Sequence, residues 1–384
     1  MLVKNMKIAY ISVGNPHNRY TWSGTFYKMF ESLKQQNHSV EWIPVCNNGL
    51  GKFEEFLIKC FGKLIHKPVM PLFFKCVAKQ YAKSISVEKL NTYDLIYAPC
   101  CGPYLYHLKG IKKPIVYMSD ASPEALFDYY IFDTLKYNRD QANSMEKKAL
   151  DKCSALIYGS DWAKGFAVNF YNQDEHKVHV LELGANLDDK DIIKKEYSYN
   201  GHLHLLFLGV DWKRKGGDIA VSACKYLNDN GVPATLHIVG IRELSEDIKS
   251  LPYVDYVGFL DKNNPVQYQK LVDMIKLCHC LLLPTIAECA GVVFGETSAY
   301  GLPSFTHHTG GTTNYVLNGR NGYGLPLGST GEDFGKIIKK CLETGELEKM
   351  SKTCIDVYNE RLNWSVWGQK MDKIIKDVVK QNKI

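Results

Sequence analysis

A chain of 384 residues is too long for one ordinary hydrophobic core and suits two domains of normal size. With 45% hydrophobic and 12% aromatic residues it is not a disordered chain, and no segment approaches the roughly 20 uninterrupted apolar residues that span a bilayer. The twelve cysteines are scattered and the N-terminus reads as a short strand rather than a leader, so reduced thiols in a cytoplasmic protein are expected, and the modest net charge of +6 comes with no expected nucleic-acid partner.

Strands alternate with helices from the start, which argues for parallel sheets of the α/β type. Residues 7–13 (KIAYISV) read as a first buried strand, the loop 14–24 follows, a helix runs from about 25 to 36, and 40–45 form a second strand. Gly24 stands at the start of that helix, where a missing Cβ lets a ligand reach free amides and the dipole favours a phosphate, although a glycine can also simply end a loop. Residues 49–86 then carry seven lysines against Glu54 and Glu55, +5 in 38 residues. Phe53, Phe56, Leu57, Phe61 and Leu64 recur at helical spacing beside Lys59, Lys63 and Lys67. The pattern fits a basic amphipathic helix on an anionic membrane surface, or a core-packed helix with a solvated lysine face.

Strands at 94–98, 115–118 and 155–158 complete a first lobe, and the polar passage 186–202 reads as a hinge. A fresh βαβ series follows with strands at 203–209, 235–240, 254–257, 280–283 and 304–306. The domains are expected at 1–190 and 200–365. Ligands of such sheets gather beyond the carboxyl ends of strands, so the loops after strands are where chemistry is sought. One of them, 209–217, places Lys213, Arg214 and Lys215 among glycines between a strand and a helix, an anion site or else a bare basic turn.

The densest signal is a charge desert. Residues 277–319 hold two charged side chains, Glu288 and Glu296, where the chain average of 23% would give about ten. A buried carboxylate costs several kcal/mol unless something binds it. Glu288 falls in a loop, Gly291, Val292 and Val293 would present free amides at a helix start, and Glu296 lies about one turn further, so both carboxylates can border one pocket. The alternative is a pair of glutamates that cap or face solvent. Cys278, His279, Cys280 and Cys289 do not form a convincing metal set, because neighbours on a strand point to opposite faces. His17, His307 and His308 read as structural or solvated.

These residues carry a resemblance. Glu288 and Glu296 with seven residues between them, the Tyr-Gly-Leu-Pro after them, Thr309 to Gly311, Asn314 to Val316, Asn321 to Tyr323 and Lys215-Gly216 together resemble the large family of retaining glycosyltransferases with the GT-B fold, family 4-like in the Glu-x7-Glu motif. The resemblance implies an α/β architecture of two Rossmann-like domains facing each other across a cleft, with a C-terminal helix, 366–384, crossing back to the first. It implies a nucleotide-sugar donor, UDP- or GDP-linked, with no cofactor and no metal. Lys215 with Arg214 would neutralise the diphosphate, the amides of 291–293 would cradle it, Glu296 would hold the ribose diol and Glu288 the sugar hydroxyls. Two departures stand out: Val210 and Asp211 occupy a place where the family often has arginine, and Asp120 stands near a first-lobe strand tip where many members have histidine. Asp120 then touches sugar or acceptor, or merely caps the helix starting near Pro123.

The expected activity is transfer of a hexose or N-acetylhexosamine to a glycan or lipid-linked acceptor with retention of configuration, in bacterial surface-polysaccharide assembly, in the cytoplasm or peripherally on the inner face of the membrane. A nucleotide-sugar epimerase of the same fold and a catalytically silent glycan-binding subunit are the alternatives. A nicotinamide oxidoreductase is disfavoured, since no G-x-G-x-x-G follows the first strand.

Overall fold

The computed structural model describes residues 5–19, 21–187, 192 and 196–382. It resolves into two compact units, Met1–Leu183 with Trp364–Ile384, and Gly184–Asn363. Within the passage 186–202, residues 188–191 and 193–195 lie outside the described residues.

The first unit is built on a six-stranded sheet of β1 (Lys7–Ser12), β2 (Ser39–Pro44), β3 (Leu95–Pro99), β4 (Ile115–Ser119), β5 (Ala155–Tyr158) and β6 (Val178–Val180). Their order is β2-β1-β3-β4-β5-β6 and every pairing is parallel. Because crossover helices cover both faces, the central strands are buried throughout and read as continuous apolar runs instead of alternating ones. The last helix, Trp364–Gln381, belongs to this unit. It lies on the Thr25–Gln35 helix, with Ser32 Oγ donating to the Trp364 carbonyl at 3.3 Å, His38 Nε2 and Asp372 Oδ1 3.0 Å apart, and Trp367 fully buried.

The Gly49–Leu64 helix has the opposite polarity from a core helix. Its buried residues are Gly51 and Gly62, whereas Phe56 is 61% and Leu64 78% exposed and Phe53, Leu57 and Phe61 are exposed beside them. The polar side faces inward: Glu54 accepts from Gln80 Nε2 at 3.3 Å and Glu55 from the Tyr81 hydroxyl at 2.9 Å, both donors on the Lys75–Ala82 helix. The core-packed alternative therefore fails, because the acidic side chains and not the phenylalanines make the interior contacts.

The second unit holds β7 (Leu203–Leu208), β8 (Ala234–Val239), β9 (Val254–Gly258), β10 (Cys280–Leu282), β11 (Ser304–His308) and β12 (Gly322–Pro326), ordered β12-β11-β10-β7-β8-β9 and parallel throughout. Taken within the unit, this is the doubly wound 3-2-1-4-5-6 order, and the direction of winding reverses between β7 and β10. β12 escapes sequence reading because Gly322-Tyr323-Gly324 looks like a turn. It is a strand because only glycine fits there: a Cβ on Gly322, whose φ is +149°, would strike the Ser304 carbonyl, and one on Gly324 would strike His308.

One acid in the first unit lies at the heart of the fold. Glu146, on the Lys136–Leu150 helix, is 2% exposed and accepts from the Tyr117 hydroxyl at 2.8 Å, and burial pushes its carboxyl up to about 7 from 4.5. A raised acid contributes stability that is full below the unfolded pKa and lost as pH rises through the folded one. For this shift the loss between pH 4.5 and pH 7 is about 3 kcal/mol. Glu146→Gln should therefore flatten the fall in stability across that window, as read by urea unfolding at acidic and mildly alkaline pH; an unchanged slope would remove Glu146 from the account.

Candidate functional site

The reversal of winding between β7 and β10 opens a crevice beyond the carboxyl ends of these two strands, and the loops that follow them meet there. After β7 the chain turns at 209–216. Asp211 organises the turn, its carbonyl accepting from Lys215 N–H at 3.0 Å and its Oδ1 from Arg214 N–H at 3.1 Å. Gly216, left-handed at φ +75°, then starts the Gly217–Asp229 helix, and a Cβ there would strike the Pro284 carbonyl just past β10. Glycine is required because two loops touch backbone to backbone.

That contact is extended by hydrogen bonds. Ile286 N–H donates to the Arg214 carbonyl at 2.8 Å, and Thr285 Oγ1 bridges the Arg214 and Ala287 carbonyls at 3.2 and 3.0 Å. Arg214 Nη1 donates to Ala287 O at 3.0 Å and stands 3.7 Å from Glu288 Oε2. Lys215 Nζ pairs directly with the same Glu288 oxygen. The loop after β11 braces the glutamate from behind, with Gly311 N–H donating to the Glu288 carbonyl at 2.8 Å. Both partners of the pair are nearly dehydrated, with side-chain exposures of 11% for Lys215 and 12% for Glu288. Arg214, Lys215 and Glu288, read separately from the sequence, are thus brought together.

Glu296 is placed differently. It sits in the Val292–Ala299 helix at 6% exposure, and its Oε1 is 2.9 Å from Lys262 Nζ, in the turn between β9 and the Pro265–Leu277 helix. The two carboxylates of the charge desert are therefore held by cations from two different loops. Lys262 was missed because its local sequence, Asp261-Lys262-Asn263-Asn264, is an ordinary polar turn. The usable signal is indirect: a buried glutamate requires a cation, and the loops after neighbouring strands are where one can reach it.

The amides at 291–293 are not all open. Gly291 caps the helix, but Val292 N–H is spent on the Ala290 carbonyl at 2.9 Å, which corrects the expectation of three free donors. Gly291 is needed for another reason as well, since a Cβ there would collide with the Phe294 ring.

Gly24 and Asp120 belong to the first unit, beyond the carboxyl ends of β1 and β4. Gly24 is buried and left-handed at φ 92°, and it follows Trp22 and Ser23 at φ 51° and 54°. Gly24 adopts this conformation freely, whereas Trp22 and Ser23 carry side chains and each costs of order 1–3 kcal/mol, and such strain gathers at functional segments. Asp120 is half-buried, and Ser122, not Asp120, is the residue preceding the Pro123–Leu126 helix, so the simple capping alternative does not describe it. His307 is structural: its Nδ1 lies 3.1 Å from the Pro284 carbonyl and its Nε2 3.1 Å from that of Ser329.

Comparison with known proteins bears on this arrangement. Residues 188–355 match the family model described as Glycosyl transferases group 1, a segment that contains Arg214, Lys215, Lys262, Glu288 and Glu296. A D-inositol 3-phosphate glycosyltransferase of Arthrobacter sp. (strain FB24) is 25% identical over 207 residues, covering 50% of this chain and 48% of that protein. The chain thus spans about half the length of the curated relatives it matches. Among solved structures, sucrose-phosphate synthase (tll1590) from Thermosynechococcus elongatus superposes with a TM-score of 0.69 at 14% identity, over 98% of this chain and 100% of that one. Anabaena Alr3699/HepE in complex with UDP-glucose superposes with a TM-score of 0.60 at 17% identity, over 97% and 100%. The fold is accordingly that of the GT-B glycosyltransferases, with two Rossmann-like units.

Removing Lys262 leaves Glu296 buried without its cation. Lys262→Met should lower stability by about 1–2 kcal/mol at neutral pH, because a half-exposed partner contributes less than a fully buried one. Thermal melts at neutral pH read the deficit; equal melts for the two chains would show that Glu296 does not depend on Lys262.

Proposed function

We propose that the chain transfers a hexose or N-acetylhexosamine from a UDP- or GDP-sugar to a glycan or lipid-linked acceptor with retention of configuration, in the assembly of bacterial surface polysaccharide. The observation that carries this reading is the convergence of Lys215 and Arg214 on Glu288 at the β7/β10 crevice, within the segment that matches Glycosyl transferases group 1. The UDP and UDP-glucose complexes of the Anabaena structure support a nucleotide-sugar donor.

Breaking the bond from sugar to diphosphate develops negative charge on the leaving phosphate, and preorganised cations lower that barrier. Lys215 and Arg214 take this role. In the free protein each is held by the Glu288 loop, so donor binding is an exchange: the diphosphate replaces Glu288 as the partner of Lys215, and Glu288 is released to accept hydrogen bonds from sugar hydroxyls. Glu296 exchanges part of its contact with Lys262 for the ribose diol in the same way. The acceptor attacks from the face the phosphate leaves, and the departing phosphate takes the acceptor proton, so neither a protein nucleophile nor a metal is required. Gly24 and Asp120 serve the first unit's part of the reaction, the glycine admitting a phosphate or sugar to its helix start and the aspartate orienting sugar or acceptor.

The Gly49–Leu64 helix supports a cytoplasmic location on the inner face of a membrane. No helix of the described residues is long and apolar enough to cross one, but this helix offers phenylalanines and leucines outward with Lys59 and Lys63 beside them.

Lys215→Ala and Glu288→Ala should each reduce transfer by roughly a hundredfold or more while the fold survives, and stabilisation by the preferred nucleotide sugar in a thermal-shift panel should be lost with Lys215. Wild-type turnover in both variants sinks the site assignment. Changing Lys59, Lys63 and Lys67 to glutamate should weaken sedimentation with anionic liposomes, and undiminished binding would reject this helix as a membrane surface.

A further inference from the structure

The amino-terminal edge of the first unit's sheet holds a feature that transfer does not use. An open basin of about 930 Å³ lies between the Lys75–Ala82 helix, the segment from Tyr106 to Ile115 that leads into β4, and the end of the Lys136–Leu150 helix. Gly24 and Asp120 follow the carboxyl ends of their strands, at the opposite edge.

The lining of this basin is cationic without relief. Lys75, Lys79 and Lys83 enter from one face of the first helix at successive turns, Lys109 and Lys113 from the connecting segment, and Lys148 and Lys152 from the third element. That makes seven lysines, and the lining includes no aspartate or glutamate. Elsewhere in the chain lysines are matched to acids one turn away, as in Lys136–Asp140, Lys147–Asp151, Lys225–Asp229 and Lys352–Glu348. Among the described residues none of the seven makes an ion pair. Lys152 is spent on the carbonyls of Leu105, Tyr106 and Leu108 at 2.6, 2.9 and 2.9 Å, which fixes the wall of the basin. Lys75 and Lys148 both lie over the Tyr106 ring, at 5.6 and 5.8 Å from its centre. His107 also lines the basin, and its Nε2 is enclosed without a hydrogen-bond partner.

Like charges gathered within a Debye length, about 8 Å at physiological salt, repel one another, and a concave wall concentrates their field. An anion of several charges relieves the repulsion and supplies acceptors to the lysines and to His107. The volume is that of a small-molecule pocket, and a single aromatic ring offers no stacking track for a nucleic-acid strand. We propose that this basin binds a ligand bearing two or more phosphate charges, either a free phosphate ester or the headgroups of anionic lipid, separately from the donor site.

The test uses the full chain with pyrophosphate as probe, in the Lys215→Ala background so that the donor site lacks the cation paired most closely with Glu288, and vesicles of phosphatidylcholine with phosphatidylglycerol. Calorimetry should show pyrophosphate binding that weakens with salt. Replacing Lys75, Lys79 and Lys83 together by glutamine should weaken it at least tenfold, and replacing them by arginine should retain it. If the triple glutamine variant melts early, Lys109→Gln with Lys113→Gln is the substitute, on a segment outside the helices. Loss of vesicle binding along with pyrophosphate identifies lipid headgroups as the source, and loss of pyrophosphate alone identifies a free phosphate ester. No pyrophosphate binding in the Lys215→Ala chain, or binding unchanged by both sets of glutamines, overturns the proposal.

Discussion

The interaction on which the second unit's site depends is the pair between Lys215 and Glu288. Neither residue is stable in this position alone, since a charge with about a tenth of its side chain exposed carries a desolvation cost of several kcal/mol. The fold meets that cost through close approach of two loops. Gly216 lets the turn after β7 touch Pro284, the Arg214 carbonyl receives Ile286 N–H, and Gly209 leaves room for the aliphatic part of Lys215 to lie across it. Each of these local features is needed because the pair sits at the one place where the sheet changes its direction of winding. The topology provides the crevice, and the ion pair keeps its two walls in register.

Most of the architecture was legible before the structure, for a physical reason. Parallel strands buried on both faces must be apolar throughout, so β1, β3, β4, β5, β7, β8 and β10 stand out as runs. The elements that did not stand out were those whose identity is decided by neighbours. β6 is three residues long and exists because it pairs with β5. β12 reads as a glycine turn until β11 lies beside it. The helix at Lys136–Leu150 does not stand out because its first half, Lys136-Tyr137-Asn138-Arg139-Asp140-Gln141-Ala142-Asn143, is polar; Asn138 and Gln141 there are spent on the backbone of Met70 and Lys75 at 2.8 Å each.

The site divides along the same line. Scarcity of charge marked Glu288 and Glu296, and the basic turn marked Arg214 and Lys215, but the joining of the second pair to Glu288 is a tertiary fact. The inference that an isolated carboxylate awaits a ligand was incomplete for that reason. The structure answers the burial cost with the protein's own cations, Lys215 and Arg214 for one glutamate and Lys262 for the other. Lys262 lies 26 residues before Glu288 in a turn with no apolar period, and nothing in its surroundings separates it from a solvated lysine.

This arrangement has a consequence for selectivity on the proposed reading. A ligand that brings only phosphate would capture Lys215 and leave Glu288 buried against Arg214 alone, while one that brings only sugar hydroxyls would take Glu288 and leave Lys215 buried without its closest counter-charge. Either half-exchange leaves a desolvated charge poorly matched, a penalty of a few kcal/mol that opposes binding. A nucleotide sugar supplies the anion and the hydroxyl donors together, a fixed distance apart, and so can relieve both partners in one event. The ion pair of the free protein then acts as a filter, because it costs least to open for a molecule that carries both complementary groups. Discrimination against free nucleotides and free sugars would in that case arise from the state of the empty site as much as from contacts made in the filled one.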